Sequence, residues 1–230
     1  MKVIIHPLAE RFLAMRFMQL FFFIIAGLLI QSVFGESFVV AVFLGFFYLN
    51  AILVTLSATD TRRYTKYIFI GLWLLCMGSE YLPLQVIGID YRVFSSMLVL
   101  LLLLFCVFNI SHFVFFKKIV AIDSLFAVMA IYLMIAVLFA RLYSVIYVLI
   151  PSAFAFPADL FGENGGLPEI AFTYFSFVTL ATLGYGDIVP RHPTAQMLAS
   201  IEAVIGQFYV AIVVARLMSL YAAEKRKAVE

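Results

Sequence analysis

The sequence predicts an all-α membrane protein with six transmembrane helices and one short helix that enters the membrane without crossing it. Two observations carry this prediction. Hydrophobic residues make up 66% of the 230 residues and charged residues only 12%, which is more apolar surface than a water-soluble domain can cover. The apolar residues also form long runs, several of which reach the roughly 20 residues that a helix needs to cross a bilayer.

Six apolar runs mark the predicted spans. The run from Phe17 is too long for a signal peptide and is taken as the first span. The third run is short and carries Glu80 near its end, and the fifth is longer than a bilayer requires, which indicates a tilted or interfacial start. Cys76 and Cys106 lie inside runs and should pack as small apolar side chains. The runs cover residues 14–34, 38–58, 67–82, 93–116, 120–150 and 194–221.

Charged residues between the spans set the orientation. Basic residues precede the first span, follow the second, fourth and sixth, and are scarce elsewhere, so both termini are expected in the cytoplasm and the chain in the plasma membrane as a multi-pass protein. The basic residues are Lys2, Arg11, Arg16, Arg62, Arg63, Lys66, Lys117, Lys118, Lys225, Arg226 and Lys227. The acidic residues of the other side are Glu36, Asp90, Asp159, Glu163, Glu169 and Asp187.

A short amphipathic helix is predicted over residues 168–181, before the last span. Pro168 suits its first turn, and Glu169 lies at the positive end of the helix dipole. Its roughly 14 residues are too few to cross a bilayer. The irregular chain that follows can lie at membrane depth only if it is buried in protein or lines a watery path.

That irregular chain is the hexapeptide Thr182-Leu183-Gly184-Tyr185-Gly186-Asp187. An extended chain with inward-pointing carbonyls can replace the water shell of K⁺. Gly184 and Gly186 reach the positive φ that such a chain requires, Thr182 adds a hydroxyl, and Tyr185 can wedge against a neighbouring helix. The same residues would also suit a turn in a soluble loop, but the flanking apolar segments favour ion coordination.

Here the sequence resembles the potassium-channel family, whose selectivity filter has the sequence Thr-Val/Leu-Gly-Tyr-Gly-Asp. The resemblance covers residues 120–221 in the order outer helix, turret, pore helix, filter and inner helix, and it is specific from Phe172 to Leu220. It implies a tetrameric cation channel, and one filter per chain implies a homotetramer, with three further copies as partners. The oxygens of Thr182, Leu183, Gly184 and Tyr185, with Gly186 completing the filter, would bind K⁺; transport would be passive and need no cofactor.

The resemblance also implies a brace for the filter. Tyr174 lies where relatives often have an aromatic residue that hydrogen-bonds the filter aspartate, here Asp187. The alternative is a tyrosine packed on the inner helix and an aspartate free in the outer mouth. Ala181 and Val178 replace a threonine and a glutamate of some relatives, so the bracing network is expected to be thinner. The acidic residues expected to concentrate cations at the outer mouth are Asp187, Asp159 and Glu163.

Gly206 lies in the last span, 19 residues beyond Asp187, where relatives often have a hinge glycine. It either lets the helix bend or lets the pore helix approach closely, and both roles remain open. Val210 and Val214 follow one and two turns later. They are expected to line the inner cavity as a hydrophobic gate.

The polar residues of this span also have alternative roles. A carboxylate in hydrocarbon is costly, so Glu202 must be paired, protonated or turned towards the pore helix, where it would support the filter. Arg141 is one candidate partner, and extension to the interface is its alternative. Gln207 either faces the cavity or bonds a neighbouring helix, and Arg216 either sets a positive field at the inner mouth or anchors the helix at the headgroups.

Three segments are predicted. Residues 1–118 form a four-helix membrane domain in the position of a voltage sensor, residues 119–221 the pore domain, and residues 222–230 a short basic cytoplasmic tail. The fourth span lacks the spaced arginines that a voltage sensor needs, so gating by a moving charged helix is not expected. The tail should favour anionic lipid, at about 1 kcal/mol per charge.

The predicted function is a potassium-selective channel subunit. One alternative is a conduction-silent or regulatory subunit of a hetero-oligomeric channel. A secondary cation transporter is a weaker one, since it would usually show repeats and broken helices in both halves. The sequence has no clustered histidines, paired intramembrane carboxylates or nucleophile motif, so we do not expect an enzyme. Its charged residues lie at the flanks of the membrane spans, so we do not expect a nucleic-acid partner either.

Overall fold

The computed structural model describes residues 15–35, 37–58, 63–81, 91–116, 122–157 and 169–227, and it is almost entirely helical. Two short strands, β1 (Phe154–Ala155) and β2 (Val189–Pro190), pair antiparallel. The helices are α1 (Arg16–Phe34), α2 (Phe38–Ala58), α3 (Arg63–Tyr81), α4 (Tyr91–Phe116), α5 (Ile122–Leu149), α6 (Glu169–Leu180) and α7 (Pro193–Lys227).

Four of the described helices are long and apolar enough to cross a membrane. Their apolar parts are Arg16–Phe34 in α1, Val93–Val114 in α4, Asp123–Leu149 in α5 and Pro193–Arg216 in α7. In α2 and α3 the apolar stretches are shorter, Val42–Leu56 and Tyr67–Gly78. The four long apolar helices confirm the prediction of a helical membrane protein.

Helices α3 and α7 extend furthest beyond the apolar runs that predicted them. Helix α3 begins at Arg63, before the run that starts at Tyr67, and α7 continues past Tyr221 to Lys227. Hydropathy detects only the apolar part of a helix, whereas alanine, glutamate, lysine and arginine continue a helix readily outside the hydrocarbon.

Helix α5 joins two hydrophobic cores. Its first half packs against α1 and α4 and contributes Ala127, Ala130, Ile131 and Met134 to a core that α2 and α3 share. Its second half packs against α6 through Phe139, Ala140 and Tyr143. The short helix is therefore held by the same helix that anchors the front of the molecule.

The start of α1 is fixed to the start of α5. Asp123 Oδ1 accepts hydrogen bonds from the backbone N–H groups of Phe17 and Met18, both at 3.0 Å. These first-turn groups have no partner within their own helix, and a carboxylate is favourable at the positive end of a helix dipole. An N-cap is thus supplied from a helix far away in sequence.

Candidate functional site

The hexapeptide begins in a tight helix ending. The N–H of Leu183 donates to Val178 O over 2.8 Å, and the N–H of Thr182 donates to Thr179 O over 2.9 Å. This pair of bonds closes α6 in a Schellman motif, whose left-handed position is usually glycine. Here Thr182 occupies that position with φ of 56°. The chain therefore leaves the helix in a direction fixed by two backbone bonds.

Positive φ then recurs at every second residue. After Thr182, φ is 59° at Gly184 and 77° at Gly186, and Thr182 is the one non-glycine residue with positive φ in the described ranges. Leu183 and Tyr185, which lie between them, do not have positive φ, so the sign of φ alternates along the hexapeptide. A β-branched residue in this region is strained, at a cost of about 1–3 kcal/mol.

Conformation, rather than lack of space, requires the two glycines. A Cβ at Gly184 or Gly186 would meet no described atom within 4 Å, but the positive φ would strain any L side chain there. The whole stretch from Ala181 to Asp187 is exposed in the single chain. Tyr185 is 66% exposed, so this segment has a face that no part of its own described chain covers.

A hydrogen bond ties the end of the hexapeptide back to α6. The Tyr174 hydroxyl donates to Asp187 Oδ2 over 2.6 Å, and the N–H of Ile188 donates to Asp187 Oδ1 over 2.9 Å. The ring of Tyr185 stacks on that of Tyr174, with centroids 6.4 Å apart. The bond from Tyr174 and the backbone bond from Ile188 hold the pKa of Asp187 below its usual range.

Aromatic rings and the β1–β2 ribbon position α6. The Tyr143 ring of α5 meets Phe175 edge-on, with centroids 5.0 Å apart, and Phe154 of β1 meets Phe172 in the same way at 5.6 Å. The N–H of Arg191 donates to Ala153 O over 2.7 Å beside the ribbon. The chain after α5 and the chain after the hexapeptide are therefore fastened together.

The end of α6 rests directly on α7. A Cβ at Gly206 would collide with the backbone carbonyl of Leu180. The same carbonyl accepts a hydrogen bond from the Tyr132 hydroxyl over 3.3 Å, which satisfies one of the carbonyls left open at a helix end. Of the two roles left open for Gly206, this contact favours close approach of the two helices.

Glu202 is fully buried between α5, α6 and α7. The Tyr143 hydroxyl donates to its Oε2 over 2.5 Å, and Ser176 Oγ is in hydrogen-bond contact with its Oε1. Arg141 Nη2 donates to the Tyr48 hydroxyl over 3.3 Å. Because Arg141 and Tyr143 are two positions apart on a helix, their side chains point about 160° apart, to opposite sides of α5. Glu202 is therefore paired with the hydroxyls of Tyr143 and Ser176 and not with the candidate partner Arg141.

The face of α7 below the hexapeptide carries the remaining predicted residues. Gln207 Nε2 donates to Thr182 Oγ1 over 3.1 Å, so Gln207 reaches the inner end of the hexapeptide. Val210 and Val214 are exposed in the single chain. The structure therefore places Gln207 next to the hexapeptide and leaves the two valines uncovered.

Several contacts were not anticipated from the sequence. Ser176, Tyr143 and Tyr132 hold the buried end of α6, yet each looked like an ordinary residue of an apolar helix; only Glu202 signalled a polar network. Arg216 Nη2 donates to Val114 O over 2.7 Å, which satisfies a carbonyl of the last turn of α4. Asp159, Glu163 and residues 228–230 lie outside the described residues.

Residues 143–223 match a protein-family model described as ion channel. The match supports an ion-channel family. It begins in the second half of α5 and covers β1, α6, the hexapeptide and most of α7, and so includes the bonds of the hexapeptide and the contacts of Glu202 with Tyr143 and Ser176. It favours a membrane-bound, non-enzymatic protein. No curated protein matches the chain.

Proposed function

We propose that this chain is a potassium-selective channel subunit that conducts K⁺ passively. One observation carries the proposal: the alternating positive φ of Thr182, Gly184 and Gly186 in an exposed segment that follows a short helix. A chain of this kind can present successive carbonyls to one side, and rings of carbonyls replace the hydration shell of K⁺.

In this proposal α6 is the pore helix and the hexapeptide is the selectivity filter. The carbonyls of Thr182, Leu183, Gly184 and Tyr185 and the Thr182 hydroxyl bind the ion, and Gly186 completes the turn to the outer mouth. Asp187 adds a negative charge there. The hydrogen bond from Tyr174 supports this role because it fixes the carboxylate beside the filter.

A single chain forms only one wall of such a pore, so the proposal requires four copies around one axis. The exposure of α7 supports this. In the apolar part of α7 only 11% of the residues are buried within the chain, whereas in the apolar part of α4 the buried share is 50%. Its exposed side chains include Ile201, Val204, Phe208, Val210, Ile212 and Val214. Lipid could cover an apolar face, but Gln207 and the exposed hexapeptide share this side and need a polar path.

The rest of the chain completes the membrane domain. We infer that α2 and α3 also cross the bilayer, which gives six spans, with both termini in the cytoplasm of the plasma membrane. The basic tail then meets anionic lipid. Val210 and Val214 line the inner cavity and form a hydrophobic constriction that closes by dewetting.

The test is a reversal potential measured on purified protein in a planar bilayer, with K⁺ on one side and Na⁺ on the other. The wild-type value should lie near the K⁺ equilibrium potential. Tyr185→Ala should move it towards zero or abolish current, because the ring that packs on Tyr174 is lost. Tyr67→Ala is the matched control, since Tyr67 is an exposed tyrosine of α3.

Unchanged K⁺ selectivity in Tyr185→Ala would overturn the assignment of the filter. The mass of the purified complex distinguishes a homotetrameric channel from the alternative, a regulatory subunit of a hetero-oligomeric channel. A complex of four identical chains with selective current supports the proposal, whereas a chain that conducts only when it is mixed with another channel subunit is a regulatory partner.

A further inference from the structure

The carboxyl group of Glu202 belongs to a chain of three oxygen–oxygen contacts. Tyr143 Oη lies 2.5 Å from Glu202 Oε2, Ser176 Oγ contacts Glu202 Oε1, and the same Ser176 Oγ lies 2.7 Å from Ala136 O. Ser176 and Glu202 are both fully buried. At such separations each contact needs a proton between the two oxygens, because two lone pairs facing each other repel.

Counting the protons leaves one missing. A hydroxyl has one proton to donate, and a backbone carbonyl or an ionised carboxylate has none. Tyr143 and Ser176 therefore supply two protons for three contacts. If Ser176 donates to Ala136 O, nothing joins it to Glu202; if it donates to Glu202, its contact with Ala136 O is repulsive. A third proton, on Glu202 Oε1, places one proton in each of the three oxygen–oxygen contacts.

We propose that Glu202 is held as a neutral carboxylic acid that donates to Ser176. The chain then runs from the Tyr143 hydroxyl to Glu202 Oε2, from the proton on Glu202 Oε1 to Ser176 Oγ, and from the Ser176 hydroxyl to Ala136 O. Each link joins two different helices among α5, α6 and α7. The neutral acid thereby clamps α6 between its two neighbours.

The surroundings favour the neutral form. Burial of an unpaired carboxylate in hydrocarbon is expensive, whereas a protonated carboxyl with both oxygens hydrogen-bonded is tolerated. The titratable groups of the described residues that interact with Glu202 are the phenols of Tyr143 and Tyr132, both from α5. Neither phenol brings a positive charge to the site.

Glu202 acts as a positioning residue, and that part of the inference rests on the proposed channel function. Its partner Ser176 lies in the penultimate turn of α6, and Gly206, one turn beyond Glu202, touches the last carbonyl of α6. The clamp and this contact together fix where α6 ends, and so where Thr182 begins the filter.

Infrared spectroscopy of the purified wild-type protein at neutral pH tests the protonation without any measurement of current. A protonated carboxyl has a C=O stretch that a carboxylate lacks. We expect this band in the wild type, its loss in Glu202→Gln, and its retention in Asp123→Asn. Asp123 is the matched control because both of the hydrogen bonds that the described residues make with it are bonds that it accepts, from Phe17 and Met18. Absence of the band, or its survival in Glu202→Gln, would overturn the proposal.

Ser176→Ala gives a second reading that does not depend on folding of the Glu202 variant. It removes the acceptor of the Glu202 proton, so the band should shift to higher frequency; an unshifted band contradicts the proposed chain. Glu202→Gln should also keep the wild-type melting temperature, because an amide donates to Ser176 and accepts from Tyr143 as the acid does. A melting temperature in Glu202→Gln as low as in Glu202→Ala would indicate an ionised group.

The two proposals fail separately. A protein with the band but without K⁺-selective current keeps the neutral acid and loses the channel assignment. A selective channel without the band loses only the neutral acid.

Discussion

Gln207 of α7 donates a hydrogen bond from Nε2 to Thr182 Oγ1 over 3.1 Å. This contact joins the helix that should line the inner cavity to the first residue of the hexapeptide. It also orients the threonine hydroxyl, because the amide proton occupies one of its two lone pairs and leaves the other lone pair free. In the proposed channel, the innermost ion site is therefore shaped by a side chain of α7 as well as by the filter.

Replacement of Gln207 by leucine should weaken K⁺ binding with little effect on folding. The side chain is exposed in the single chain, so its loss leaves no buried unpaired group, while the Thr182 hydroxyl is no longer held. K⁺ binding to the folded state raises its stability, by about 2.7 kcal/mol at a hundredfold excess over Kd. The measurement is the rise in melting temperature on adding K⁺, which should be smaller in Gln207→Leu.

A double-mutant cycle checks that this effect passes through the hydroxyl. In a Thr182→Val background, Gln207→Leu should have no further effect on the K⁺-induced rise. Two additive losses would mean that Gln207 acts on the ion without Thr182.

Acid should weaken the outer filter only at low pH. The bond from Tyr174 lowers the pKa of Asp187 in the folded protein, so its stabilising effect is complete above the ordinary aspartate pKa of about 3.9 and is lost as pH falls through the lower folded value. K⁺ selectivity should therefore hold from neutral pH down to about 4. The reversal potential as a function of external pH measures this.

Tyr174→Phe should move that transition to higher pH, since the carboxylate loses its phenol donor. Tyr147→Phe makes the same change on α5, in a ring that packs on Phe156 and Phe172, and should leave the transition in place. A midpoint unaffected by Tyr174→Phe would show that the brace does not control the ionisation of Asp187.

The sequence was sufficient for the features that depend on local pattern. Apolar runs located the helices, and the positive φ expected at Gly184 and Gly186 is present, because glycine is the residue that tolerates it. The start of α3 at Arg63 was missed because polar helix formers carry no hydropathy signal.

Features that depend on docking could not be predicted. Glu202 was recognisable as a costly intramembrane acid, but its partners Ser176 and Tyr143 are 26 and 59 residues away, and nothing local distinguishes them from other hydroxyls. The positive φ of Thr182 was missed for another reason. Intrinsic preference disfavours a β-branched residue there, and the tertiary contacts of α6 override that preference.

Gly206→Ala should destabilise the protein even though alanine is the better helix former. Alanine gains about 0.5–1 kcal/mol in helix propensity, but its Cβ would collide with Leu180 O, and overpacking of this kind typically costs about 1–3 kcal/mol. Thermal unfolding in detergent measures the difference. Gly71→Ala in α3 is the control, because its Cβ would meet no described atom within 4 Å, and it should be neutral or stabilising.

An equal or higher melting temperature in Gly206→Ala would mean that α6 and α7 can separate without cost. The hinge role would then be the better account of Gly206.

Thr182→Gly should stabilise the chain and impair the proposed filter. Glycine adopts φ of 56° without strain, so the end of α6 should gain on the order of 1 kcal/mol. The same change removes the hydroxyl that accepts from Gln207 and that the proposal assigns to the ion. We expect a higher melting temperature without K⁺ and a smaller rise when K⁺ is added. Thr182→Ser is the control, because it keeps the hydroxyl and should retain the K⁺-induced rise. If Thr182→Gly instead lowers the melting temperature without K⁺, the threonine side chain stabilises the end of α6 by more than its backbone strain costs.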